Sequence, residues 1–390
     1  MLFRSCAHAA RATAFEKAVQ NNQWISANIV RAKSQFIYLW RTNMQEKYFA
    51  ASNSSEGFCS YYDSVFNIAD LNRIYAIKGG SGTGKAFFMK DVAKAAEKRG
   101  YSVRYIYCSS DSGSLDGIII KELKIAVLDG TSPHIYEPHL VGAVDSIIDL
   151  GAFLDKKALA PRREEITALS KAKQEHFEKA YGYLRAYHEL SASIERIITP
   201  CINIPKLKKY AKRLANNIGS ENGKTEHLLV NSIGMRGKAH FNTYFENANI
   251  YYGISDFFET AHVFLDILFS VLREKKVDVR ISNNPIIKSR IDTLFLPNES
   301  LCFEISDENH KGARSINMKR FVDSDAVADI RKEYRDILHA RNDILNMALL
   351  EFEKIKKYHF KLEGIYGSAM DFAAKEKFSE EFCDKVFENN

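Results

Sequence analysis

Residues 73–86 read RIYAIKGGSGTGKA, and this stretch decides the fold. The apolar run Ile74 to Lys78 predicts a β-strand, and FFMKDVAKAAEKRG (87–100) predicts an amphipathic helix. Between them Gly79, Gly80, Ser81, Gly82, Thr83, Gly84 and Lys85 have the spacing G-x-x-x-x-G-K. Glycines let the backbone curl so that successive N–H groups face phosphate oxygens, and the following helix N-terminus adds a favourable field. Lys85 supplies a point charge for β- and γ-phosphates. Ala86 stands where Ser or Thr would offer a hydroxyl to Mg²⁺. Phe87 removes a second hydroxyl, of the kind found beside an α-phosphate. Losing one charge-assisted contact costs about 1.5–3 kcal/mol, or about ten- to a hundredfold in binding or rate. Water can replace the ligand oxygen, so catalysis is handicapped rather than excluded.

An acidic partner follows. KIAVLDG (124–130) places Asp129 at the end of an apolar strand, suited to organising Mg²⁺ through water, although an ordinary strand-end turn has the same pattern. Gly130 stands where a Glu would polarise the attacking water. Substitutes lie in CSSDSGSLDG (108–117), which carries Asp111 and Asp116, and in TSPHIYEP (131–138), which carries His134 and Glu137. Both loops also read as Asp- and Pro-stabilised turns. Lys85, Asp129 and Asp111 are the expected catalytic set, and residues Gly79 to Ala86 the expected nucleotide contacts.

The unit is written twice. Ile74-Tyr75 recurs as Ile250-Tyr251, an offset of 176 that also joins Phe88 to Phe264, Val103-Arg104 to Val279-Arg280 and Asp116 to Asp292. Farther on, FLDKKALAPRREE (153–165) resembles FVDSDAVADIRKE (321–333) at an offset of 168. Strand-like runs alternate with amphipathic helices in each half, which predicts mostly parallel sheets covered on both faces. Each half ends in a helical arm, about 155–218 and 324–386. In the second arm Leu338, Leu345 and Phe352 recur every seven residues, beside Ile337, Ile344, Ala348, Ile355 and Leu362. That stripe reads as antiparallel helical hairpins or a short coiled coil. Pro200 and Pro205 are expected to break the first arm.

The expected organisation is an extension (1–43), a nucleotide-binding core (44–154), an arm and linker (155–222), a degenerate second core (223–320) and a second arm (321–390). In the second core SDFFETA (255–261) replaces the loop, with neither glycine nor lysine, so one nucleotide per chain is expected. Residues 1–43 hold one acid, Glu16, against Arg4, Arg11, Lys17, Arg31, Lys33 and Arg41. A transit peptide has this composition, but a helical extension or a true start at Met44 is the favoured reading.

The 55 Lys and Arg against 49 acids leave a net charge of +6, too small an excess over 390 residues to argue for nucleic acid. Six scattered cysteines without a C-x-x-C pair point to a reduced, cytoplasmic chain without structural zinc. No apolar run reaches a membrane-spanning length.

KGGSGTGKA (78–86), CSSDSGSLDG (108–117) and LKIAVLDGTSPH (123–134) together resemble a bacterial family of duplicated P-loop ATPases, from about Met44 onward. The resemblance implies an α/β fold of two tandem P-loop units and ATP binding. Ala86 departs from the family's Ser or Thr, and the second loop is erased. The expected function is slow, Mg²⁺-dependent ATP hydrolysis coupled to the helical arms and, through them, to a protein partner. A non-catalytic nucleotide sensor or scaffold and a small-molecule or nucleotide kinase are the alternatives.

Overall fold

The computed structural model describes residues 46–133, 135–306 and 312–388, so the expectations for residues 1–43 and for His134 lie outside the described residues. The first half runs β1 (Glu46–Phe49), β2 (Ala51–Ser54), β3 (Gly57–Ser60), α1 (Tyr62–Val65), β4 (Arg73–Lys78), α2 (Lys85–Lys98), β5 (Val103–Tyr107), β6 (Leu115–Ile120), β7 (Ile125–Asp129) and β8 (Asp145–Asp149). It continues through α3 (Lys156–Leu159) into α4 (Arg163–Ile198) and α5 (Ile204–Ala215). The second half repeats this as β9 (Thr225–His227), β10 (Asn231–Gly234), β11 (Gly237–His240), α6 (Thr243–Asn247), β12 (Ile250–Ser255) and α7 (Ala261–Glu274). Then come β13 (Val279–Asn283), β14 (Ile291–Leu296), β15 (Leu301–Ile305), β16 (Arg314–Asn317), α8 (Ser324–Gly367) and α9 (Phe372–Glu388).

The two six-stranded sheets share one order, β1-β5-β6-β7-β4-β8 and β9-β13-β14-β15-β12-β16. They are mostly parallel, as expected, but mixed rather than purely parallel: one strand in each is reversed, β6 lying antiparallel to β5 and β7, and β14 to β13 and β15. The cause is local. Only Lys121–Lys124 join β6 to β7, whereas a parallel return needs a crossover of a dozen or more residues. Lys124 and its counterpart Ser300 take left-handed φ of 54° and 48° to close these turns.

Helix register confirms the offset of 176: the buried Phe88, Met89 and Val92 of α2 match Phe264, Leu265 and Leu268 of α7. At the preceding strand the alignment of Ile74 with Ile250 is one residue out. The burial patterns of β4 and β12 pair Ile74 with Tyr251, and the amides of Gly130 and Ser306 donate to the carbonyls of Ile77 and Ile254 respectively. The second strand-to-helix loop is therefore one residue shorter than the first.

The arms cross. No arm folds back on itself as a hairpin; α4 and α8 pack antiparallel against each other, with His176 on Glu351 and Phe177 on Phe352. The short helices then exchange cores. In α5, Leu207, Ala211 and Ala215 cover α7 of the second half, while Phe382, Cys383 and Val386 of α9 cover α2 of the first. The larger side chains among them, Leu207, Phe382 and Val386, each contribute about 1.5–3 kcal/mol. Matched bridges mark the crossings, Leu154 with Met370 and Ile202 with Val322. Asp155 and Asp323, one offset of 168 apart, cap α3 and α8. Pro200 ends the first arm's long helix in a single 3₁₀ turn, whereas Pro205 sits in the first turn of α5, where its missing N–H costs nothing.

Candidate functional site

The glycine loop leaves β4 and enters α2 through Gly84, in the left-handed region at φ 81°. Gly82 is left-handed too (φ 75°), and a Cβ there would sit 2.5 Å from the Glu363 carbonyl of α8. Only glycine satisfies both demands. Among the described residues, the amides from Gly80 to Ala86 donate to no protein acceptor, so they stand open at a helix N-terminus. Lys85 folds over the loop: its Nζ donates to the carbonyls of Gly79 (3.0 Å) and Gly80 (2.9 Å) and lies 3.6 Å from Asp129 Oδ2. Ala86 presents no ligand atom, and Phe87 projects outward, 68% exposed.

Asp129 ends β7, the strand beside β4, which is why two residues 44 positions apart meet. Its Oδ1 accepts from the amide (2.8 Å) and hydroxyl (2.5 Å) of Thr131. Burial pushes its pKa up, against the opposing pull of Lys85. Asp116, on β6, is buried beside Cys108. Burial works to raise Asp111, but hydrogen bonds from Arg236 and the Gly113 amide prevail and hold it below the usual carboxylate range. A carboxylate so engaged is a poor general base. Glu137 is exposed, paired with Lys78 at 3.3 Å, and does not line the cavity that opens over the loop.

Arg236 was not foreseen. It sits on the turn joining β10 to β11, in the second half, and that turn is anchored by the Met235 amide on the Ser110 carbonyl at 2.8 Å. The reciprocal turn of the first half places the Ser55 amide on the Ile286 carbonyl and pairs Glu56 with Lys288. A cavity of about 1030 Å³ opens over the loop, large enough for a nucleotide. Ser81 to Phe87, Asp111, Asp116, Asp129 and Thr131 form its floor, and Arg236 one wall. The arms supply the roof, Lys173 and Phe177 from α4 and His359, Phe360 and Glu363 from α8. Nothing in the linear sequence marks these arm residues, because each is an ordinary polar or apolar position on a long helix.

The equivalent place in the second half is filled by protein. Glu259, two residues before α7 as Thr83 is before α2, gives both carboxylate oxygens to the guanidinium of Arg341, one at 2.6 Å. Arg290 lies 3.6 Å from the same carboxylate and 3.1 Å from Glu195. Arg341 also stacks over Tyr187 at 4.8 Å and donates to Ser191. His262 occupies the position of Ala86. Burial raises Asp292, the counterpart of Asp116, to about 7 despite hydrogen bonds from Asn284.

Among the described residues no cluster of three or more His, Cys, Asp or Glu side chains could hold a metal by itself, and no helix is long and apolar enough to cross a membrane. Comparison of the chain with protein-family models, curated proteins and solved structures finds no match.

Proposed function

We propose that the first half binds a nucleoside triphosphate, ATP by the sequence resemblance, and hydrolyses it slowly. The observation that carries this reading is the run of open amides over Gly80 to Ala86, set beside the Lys85–Asp129 pair at the floor of the cavity. Such a loop offers donors and a cation to phosphate oxygens that water would otherwise solvate. On binding, Lys85 exchanges the carbonyls of Gly79 and Gly80 for phosphate oxygens. Asp129, beside Lys85, would hold Mg²⁺ through water, which suits an ion that keeps most of its waters and arrives with phosphates. That ion supplies charge neutralisation for phosphoryl transfer. Ala86 contributes nothing to it, so turnover is slow. The close approach of Glu363 to Gly82 lets α8 sense the loop, which couples nucleotide to the arms and to any protein partner they serve.

Calorimetric titration with ATP, with and without Mg²⁺, tests this directly. One site per chain is expected, and Lys85→Ala should weaken binding by about a hundredfold, as for loss of a charged group with more than one contact. Equal affinity in the variant, or two equivalent sites, would sink the assignment. Ala86 specifically favours a second reading, a sensor that binds without cutting. Absence of phosphate release from a protein that binds ATP with Mg²⁺ would select it.

A further inference from the structure

The arms obey the same offset of 168 as the segments that lead into them. The buried Ala180 and Leu184 of α4 correspond to Ala348 and Phe352 of α8, and by the same count Lys173 corresponds to Arg341. The two cations face equivalent loops. Arg341 holds the Glu259 carboxylate on the approach to α7, while Lys173 lines the cavity above Gly82 to Lys85.

Their partners differ. Glu259 puts a negative group into the second loop, and Arg341 grips it through both terminal nitrogens. Lys173 has no acceptor within hydrogen-bonding distance among the described residues. Burial pushes its pKa down, although the charges of Cys108 and Glu363 favour the ammonium, and neighbouring Lys85 adds repulsion. Lys85 has Asp129 at 3.6 Å while Lys173 has no such partner, and an anion lying between the two ammonium groups would relieve their repulsion. The second half therefore displays, in protein atoms, the arrangement that the first half lacks.

We propose that Lys173 is a second phosphate-binding cation, carried by α4, that contacts the terminal phosphate of a nucleoside triphosphate seated on Lys85, as Arg341 contacts Glu259. This rests on the nucleotide-binding reading of the loop and adds a selectivity to it: the arm reads the number of phosphates. A triphosphate ties α4 to the core, and a diphosphate leaves it untied.

The experiment is calorimetric titration of ADP and of a β,γ-imido ATP analogue into the unmodified protein, Lys173→Ala and Lys173→Arg. Lys173→Ala should lose about ten- to a hundredfold in affinity for the triphosphate, the range for one charge-assisted contact. Its ADP affinity should change less than about threefold, since the lost contact is to a phosphate that ADP lacks. Lys173→Arg should keep most of the difference. Equal losses for both ligands, or an unchanged triphosphate affinity, would overturn the proposal. Lys85→Ala should lose both nucleotides together, so failure of the loop reading shows as its indifference, and failure of the Lys173 assignment as intact triphosphate preference in Lys173→Ala. Should Lys173→Ala lose its helical circular dichroism, Lys173→Gln is read by the same criterion. An unmodified protein that binds neither ligand overturns both proposals.

Discussion

The loops at Gly79–Gly84 and Asp256–Thr260 occupy equivalent places on equivalent sheets and answer the same electrostatic demand differently. The first is built from four glycines and ends at Lys85, leaving amides and ammonium groups turned to a cavity. The second is one residue shorter and carries its own anion, Glu259, already seated on Arg341. Phe258 and Glu259 hold left-handed φ of 54° and 58°, which costs about 1 kcal/mol or more each without a glycine. Packing of Phe258 on Tyr334 at 4.4 Å and the two-pronged arginine contact offset that strain. The duplicated scaffold thus fills one loop with an internal anion on Arg341 and leaves the other open to the cavity.

Cutting the internal pair should have the largest effect. Arg341→Ala leaves the partly buried Glu259 carboxylate with Arg290 alone, 3.6 Å away, and should lower stability by about 3–5 kcal/mol, measured by chemical denaturation. Adding Glu259→Gln should recover a good part of it. A neutral Arg341→Ala would mean that Arg290 alone balances Glu259 and that Arg341 is not its counter-charge.

Asp292 offers a smaller test with a defined sign. Its folded pKa, about 7, lies above the usual carboxylate value, so the folded state holds a proton that the unfolded state releases. That term falls away as pH rises from about 4 to about 7. Asp292→Asn should remove the slope and stabilise the protein at pH 7.5 by up to about 4 kcal/mol, with little change at pH 4. Parallel pH–stability curves for the two proteins would count against a protonated Asp292.

The smallest effect belongs to the first loop. Ala86→Ser restores a hydroxyl at the start of α2 and should raise Mg²⁺-dependent phosphate release about tenfold. The gain should vanish in the Ala86→Ser, Asp129→Asn double variant. No gain in the single variant would move the defect elsewhere and separate binding from turnover.

Much of this was legible in the chain. The strand, loop and helix around Gly79–Lys85 were marked by short-range pattern, and so was Asp129 at the end of an apolar run. The duplication showed through shared offsets, because a buried Phe88 or Val92 tolerates few replacements and Phe264 and Leu268 preserve the register. The antiparallel β6 was missed because hydrophobic periodicity has no direction, although the four-residue link to β7 carried the clue. β1 and β8, the sheet edges, are short and weakly patterned. Arg236, Lys173 and Glu363 could not be read, since they reach the cavity from segments far from the loop, Arg236 on a turn anchored at Ser110 and the other two through the crossing of the arms.

That crossing also sets an order of events during synthesis. The apolar face of α2 is closed by Phe378, Phe382 and Val386, nearly 300 residues downstream. While the ribosome is still translating the second sheet, the first has strands, loop and Lys85 but no cover for Phe88. A nascent chain interrupted before α9 lacks these side chains and leaves that apolar face of α2 without its cover.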